Sequence, residues 1–203
     1  MMGTITAVTV EARRTTRERW GPGRDRHGRP VDSQKKRVYA AENVALDNED
    51  APIPMERWTT VAEMQRYVDR LLASAWWRRR WPSITRITIN DGAGYRSATA
   101  YGIKGKIEMP RWARKEWVML HEIAHVVVDR TIGQRAAAGH GREFCQVYLE
   151  LVGHMMGDDA RKALKAEFQE KKVKHTRPRK PLSAEQRAAA AERLAKARAA
   201  REG

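Results

Sequence analysis

The chain has 203 residues, with 40 Lys and Arg against 25 Asp and Glu, a formal charge of +15 and a pI near 10.4. That length allows one domain with a real core plus appendages, and that charge predicts attraction to polyanions, nucleic acid ahead of an acidic membrane surface. The lone cysteine, Cys145, excludes an internal disulfide and a zinc ribbon.

No run approaches the ~18 apolar residues of a membrane span, and Met1–Val10 lacks the basic start of a signal peptide. The expectation is a soluble protein of a reducing cytoplasm. Residues 1–30 read as a basic flexible arm, since Arg13-Arg14-Thr15-Thr16-Arg17 and Gly21–Pro30 offer charge and turns but no apolar period. Asp32 is placed to cap a helix over Ser33–Leu46 that turns Val38, Ala41 and Ala45 inward. A loop marked by Pro52 and Pro54 follows.

Thr60 and Glu63 have capping-box spacing at the head of a second helix. Its stripe is Val61, Met64, Val68, Leu71, Leu72 and Ala75. The run Trp76-Trp77-Arg78-Arg79-Arg80-Trp81 ends it before Pro82. Tryptophans covering the core, with arginines in water, is the favoured reading; base stacking is the other. Ile84–Ile89 alternates like a strand, Asp91–Gly94 turns, and Ser97–Gly102 and Lys106–Met109 give two more strands joined near Gly105. The pattern predicts an α+β fold with a short antiparallel sheet packed on the helix that follows.

That helix, Ala113 to about Asp129, holds the most informative string, His121-Glu122-Ile123-Ala124-His125. Residues i and i+4 share a helix face, so both imidazoles can reach one zinc ion, while Glu122, one residue off that line, can approach a water beside the metal. Two imidazoles and a carboxylate among Val118, Leu120, Ile123 and Val127 would be costly to bury unpaired, by several kcal/mol, and a metal removes that cost.

A catalytic zinc needs three protein ligands and an open position. The metzincin pattern fails, because Val128 and Thr131 stand where it wants glycine and the third histidine. After a loop over Arg130–Ala138, candidates for the third ligand are His140, fifteen residues past His125 between two glycines, then Glu143, and further along Glu150 or His154. These lie at the start of, or on, a helix striped by Phe144, Val147, Tyr148, Leu151, Val152 and Met155.

His27 and His175, in charged stretches, read as solvated. Asp129 reads as a surface acid at a helix end, or else as a partner for a ligand's second nitrogen. Tyr148 reads as core and Cys145 as a small buried side chain.

Residues 161–203 carry 14 Lys/Arg and 5 Asp/Glu, a net of +9, leaving +6 for the first 160. They read as a basic tail: prolines break 171–181, and Ser183 with Gln186 can cap an alanine-rich helix over Ala184–Arg201 that has little to bury. The domain proper is then 31–160.

The paired strings His121–His125 and Gly139-His140-Gly141-Arg142-Glu143-Phe144-Cys145 closely resemble the SprT-like (Spartan-type) zinc metallopeptidases, with Arg142 where that family usually has proline. The stretch Arg37–Glu42 adds a likeness to small metallohydrolase-like proteins of actinobacteria and their phages. The resemblance covers about 97–157. It implies a minimal zincin-like domain in which His121, His125 and His140 bind Zn2+ and Glu122 is the general base. It further implies a zinc metalloprotease acting on protein substrates near DNA, held to nucleic acid by the basic arm and tail. Two other functions fit the same residues: a nucleic-acid-binding protein with a structural zinc, and a peptidase dedicated to one partner such as a repressor or phage protein.

Overall fold

The computed structural model describes residues 23–25, 27–47 and 53–176, with Ala189 and Arg193 alone beyond them. Most of the expected arm, Pro52 and nearly all of the alanine-rich tail lie outside the described residues. Six helices and one small sheet make an α+β fold: α1 (Lys35–Leu46), α2 (Val61–Ala73), α3 (Ala75–Arg80), β1 (Thr88–Asp91), β2 (Thr99–Tyr101), β3 (Lys106–Met109), α4 (Glu116–Thr131), α5 (Arg142–Met155) and α6 (Asp158–Glu170).

The capping box at the head of α2 forms as its spacing predicts. Thr60 Oγ1 accepts from the Glu63 amide at 3.2 Å, and Glu63 Oε2 accepts from the Thr60 amide at 3.0 Å. Ser74 then adopts extended backbone, which ends α2, and its hydroxyl accepts from the Trp77 amide to start α3. Trp77 and Trp81 are buried, with Trp77 Nε1 donating to the Ile84 carbonyl at 2.8 Å, while Arg78, Arg79 and Arg80 face solvent.

The sheet is mixed, which corrects the antiparallel expectation. In the order β1-β3-β2, β3 runs parallel to β1 and antiparallel to β2. A short 3-10 turn over Gly102–Lys104 and Gly105, at φ 62°, joins β2 to β3 as a hairpin. Because β2 is laid down at the far edge first, the returning β3 fills the centre beside β1 and shares its direction. Alternation along a strand specifies its faces but not its neighbours' direction, so local pattern could not decide this. Among the described residues, no strand pairs with the other side of β2.

Only four of the sixteen residues of α4 escape burial. It packs on α5 on one side and on β2, β3 and the 3-10 turn on the other. A helix apolar nearly all round belongs in the middle of the fold. Arg114, itself buried, ties its approach to the sheet by donating to Asp91 Oδ1 at 2.9 Å and to the Thr59 carbonyl.

The change of composition at residue 161 does not mark the end of packing. Helix α6 lies against α1 and α5, burying Ala160, Leu164 and Phe168, and Val173 follows them inside. These apolar residues recur at helical spacing among lysines and arginines, so net charge hid an amphipathic helix. His175, expected in solvent, is buried against Phe168 with Nδ1 2.9 Å from the Val173 carbonyl. At the other end, part of the expected arm is folded. Asp25 Oδ1 accepts from the His27 and Arg29 amides, and Arg24 reaches the Arg135 carbonyl. No helix among the described residues is long and apolar enough to cross a membrane.

Candidate metal centre

Helix α4 brings His121 and His125 onto one face, and their Nε2 atoms stand 3.2 Å apart. The turn before α5 delivers His140, whose Nε2 is 3.1 Å from that of His121. One nitrogen from each ring lies within 4.8 Å of the others, and together these three can hold a metal ion. Among the other candidates, Glu143 lines a separate groove with Arg80 and Arg142, and Glu150 pairs with Arg80 at 2.8 Å. His154 stacks on Trp76 with ring centres 4.0 Å apart.

The far side of two rings explains why the site is built as it is. His121 Nδ1 lies 2.5 Å from Glu42 Oε1, and His140 Nδ1 lies 2.5 Å from Asp32 Oδ2. A carboxylate accepts only, so each Nδ1 carries a proton, and in the neutral ring Nε2 then presents a lone pair. Lone pairs of neighbouring rings aimed at one another repel unless a cation sits between them. The donor set therefore fits a metal ion.

Neither carboxylate was assigned to the site from sequence. Asp32 reads locally as a helix cap, yet the residue at the start of α1 is Gln34, with no side-chain capping bond, and Asp32 turns to His140, whose amide it also accepts from at 3.2 Å. Gln34 is buried as well, its Nε2 donating to the His140 carbonyl at 2.7 Å and to the Lys174 carbonyl at 3.1 Å. The segment after α6 thus helps hold the third histidine in place. Glu42 did leave a signal: it falls four residues after Val38 and three before Ala45, in the middle of the buried stripe of α1, where an acid needs a partner.

The glycines flanking His140 act by their bareness, not by unusual backbone, for neither has positive φ. A Cβ at Gly139 would come within 3.1 Å of Asp32 Oδ2, and one at Gly141 within 3.2 Å of the Ala138 carbonyl. Asp129, weighed as a ligand's partner, is half-buried, accepts from Gln134 Nε2 at 2.7 Å and lies where any Cβ on Gly102 would strike it.

Charge follows burial here. Burial depresses His121, but the Glu42 carboxylate outweighs it and raises the imidazole's proton affinity. Burial pushes His140 down despite Asp32, and pushes His125, beside two other imidazoles, well below the ordinary range. Glu122 is raised, chiefly by burial, although His121 and the Ala100 backbone oppose the rise. Tyr148 is wholly buried with its hydroxyl donating to the Trp117 carbonyl at 3.2 Å, and burial raises the Cys145 thiol out of the reactive range. Both are core side chains, as expected of Tyr148 from its stripe and of Cys145 as a small buried side chain.

Glu122, His125 and His140 share the wall of one cleft of about 400 Å³ with Tyr39 and with Thr99 and Ala100 of the edge strand β2. A small ion bound by the three histidines would face that cleft, beside a carboxylate and an unpaired strand edge. Such a place can activate water and can hold an extended chain. Set against family models, curated proteins and solved structures, the chain matches none.

Proposed function

We propose that the chain is a zinc-dependent metallopeptidase. The observation that carries this reading is the convergence of three histidine Nε2 atoms at a cleft that also holds Glu122. Four ligands at about 2.0–2.1 Å in a tetrahedron lie roughly 3.3 Å apart, and the 3.1 and 3.2 Å separations fit that spacing. A structural zinc site is closed by four protein ligands, whereas catalytic sites use three. Three converging ligands among the described residues favour the catalytic reading.

His121, His125 and His140 would hold the ion, with Glu42 and Asp32 fixing two of the rings. Bound there, zinc supplies Lewis acidity toward a carbonyl and acidifies a water. The Glu122 carboxylate would take a proton from water in the cleft and pass it to the departing amine. Its surroundings suit the task, since a buried carboxylate holds a proton more readily than one in solvent. The outer edge of β2, which pairs with no strand among the described residues, offers a peptide backbone a place to lie extended beside Glu122, whose carboxylate already takes the Ala100 amide. The likeness to SprT-like peptidases points the same way.

Proteins bound to nucleic acid are the substrates this reading favours, because residues 177–203 hold eight Lys/Arg against three Asp/Glu and follow directly on a folded unit that is already basic. The test compares wild type with Glu122→Gln. Wild type should contain one zinc per chain and cleave a denatured or DNA-bound protein, and the variant should keep the zinc and lose roughly 10²–10⁴-fold in rate. Equal behaviour of the two would reject the peptidase and leave a metal site that only holds the fold.

A further inference from the structure

A smaller pocket of about 190 Å³ opens beside the three-histidine cleft. The two share Tyr39, Ser97, Ala98 and Glu122 as walls, so whatever occupies one touches the boundary of the other. Trp112, Trp117 and Val118 give it a mostly apolar surface, and Glu42, Asn43 and His121 complete the lining. Trp112 stands on a 3-10 turn over Arg111–Ala113 and is 60 % exposed, and Tyr39 is 39 % exposed. Two aromatic side chains left open to water at one concave place are what a ligand-binding surface presents. Trp117 contributes a second oddity, an indole Nε1–H that is buried with no acceptor among the described residues.

The location supplies the occupant. Ala98 directly precedes β2, the strand whose outer edge pairs with no other strand among the described residues and whose residues line the histidine cleft. A chain paired along that edge sends alternate side chains to one face, and the pocket lies at the start of that edge. Its volume somewhat exceeds the roughly 150 Å³ of an apolar cavity that accepts benzene, so a leucine, methionine or phenylalanine side chain fits. The carboxylates at its inner end have other work. Glu42 is taken by His121 Nδ1, and Glu122 belongs to the cleft.

We propose that this pocket receives one large apolar side chain of the substrate, adjoining the bond that is cut, and thereby selects which peptides are cleaved. The inference rests on the peptidase reading and adds the substrate class to it. Trp112 is the specificity-determining residue, supplying apolar contact area without touching the reacting atoms.

Two measurements on the full chain test it. In the first, N-acetyl-leucinamide, N-acetyl-phenylalaninamide, N-acetyl-glycinamide and N-acetyl-argininamide are titrated in turn while the indole N–H resonances of Trp112 and Trp117 are followed by NMR. The leucine and phenylalanine probes should shift them, and the glycine and arginine probes should not. In the second, the zinc-loaded protein digests a mixture of peptides. Cleavage sites should carry a large apolar residue at one fixed position, and Trp112→Ala should lower kcat/KM for such peptides at least tenfold, with Trp112→Phe recovering most of it.

Cleavage without preference at any position, or shifts produced by the arginine probe alone, overturns the pocket. Shifts from the apolar probes with no hydrolysis of any peptide overturn the peptidase reading instead and leave an apolar-ligand site standing.

Discussion

Two concavities among the described residues invite comparison, and the larger is the less informative. The groove between α3, α5 and α6 measures about 940 Å³ and is walled by Arg80, Arg142, Glu143, Glu150, Arg161 and Lys165 among others. Its ion pairs lie in the open, Arg80 with Glu150 at 2.8 Å and Arg161 with the neighbouring Asp158 at 2.9 Å, all four side chains well exposed. The histidine cleft has less than half that volume, yet three imidazoles converge there, two of them buried and held from behind by carboxylates. Exposed ion pairs each contribute only about 0–1 kcal/mol and leave nothing unsatisfied. Buried imidazoles whose outer nitrogens are already bonded leave lone pairs that demand a partner. Size measures room; convergent, half-satisfied polarity measures function.

The contrast can be broken most severely at the ligands. His140→Ala should abolish stoichiometric zinc in the purified protein, read by elemental analysis, whereas Glu143→Ala in the groove should leave it at one per chain. Equal zinc in the two variants would remove His140 from the site. Next in size is the scaffold behind the cleft. Phe168→Ala deletes a fully buried ring from α6 and should cost about 3–5 kcal/mol in a denaturant titration. A chain cut after residue 160 should therefore fail to fold, while one cut after 176 should fold, keep its metal and lose DNA affinity with a shallower salt dependence. Unchanged DNA affinity in the 1–176 chain would take the tail out of the functional reading.

A smaller effect should follow from the carboxylates behind the rings. Asp32→Asn and Glu42→Gln should each weaken zinc binding roughly 10–100-fold, measured by competition with a chromophoric chelator. A loss confined to folding stability, with affinity intact, would make those acids merely structural. Smallest of all, Arg80→Ala should change stability by less than about 1 kcal/mol and leave zinc affinity alone, because its pair with Glu150 is exposed. A large effect there would mean that the groove has a role its open ion pairs do not suggest.

How far the sequence could be read depended on whether the cause was local. The capping box at Thr60 and Glu63, the strand over 106–109 and the His-Glu-x-x-His face of α4 each depend on spacing within one element, and each is visible as spacing. Asp32 and Glu42 are the counterexamples. They lie 108 and 79 residues from the histidines they hold, and in their own neighbourhoods one resembles a helix cap and the other an ordinary helical acid. Helix α6 was obscured differently, its buried Leu164 and Phe168 outnumbered by surrounding charge.

By itself, then, the order of residues determined which side chains could bind a metal, that two of them share a helix face, and that a third had to come from one of a few positions downstream. It also determined the basic ends and most helix boundaries. Tertiary structure alone decided that His140 and not Glu143 meets the other two, that Asp32 and Glu42 stand behind the rings, and that β3 runs beside β1 in the same direction. The physical reason is range. Propensity, capping and periodicity act within a few residues, but the partners of a buried polar atom are chosen by whichever distant segments the packed core brings together.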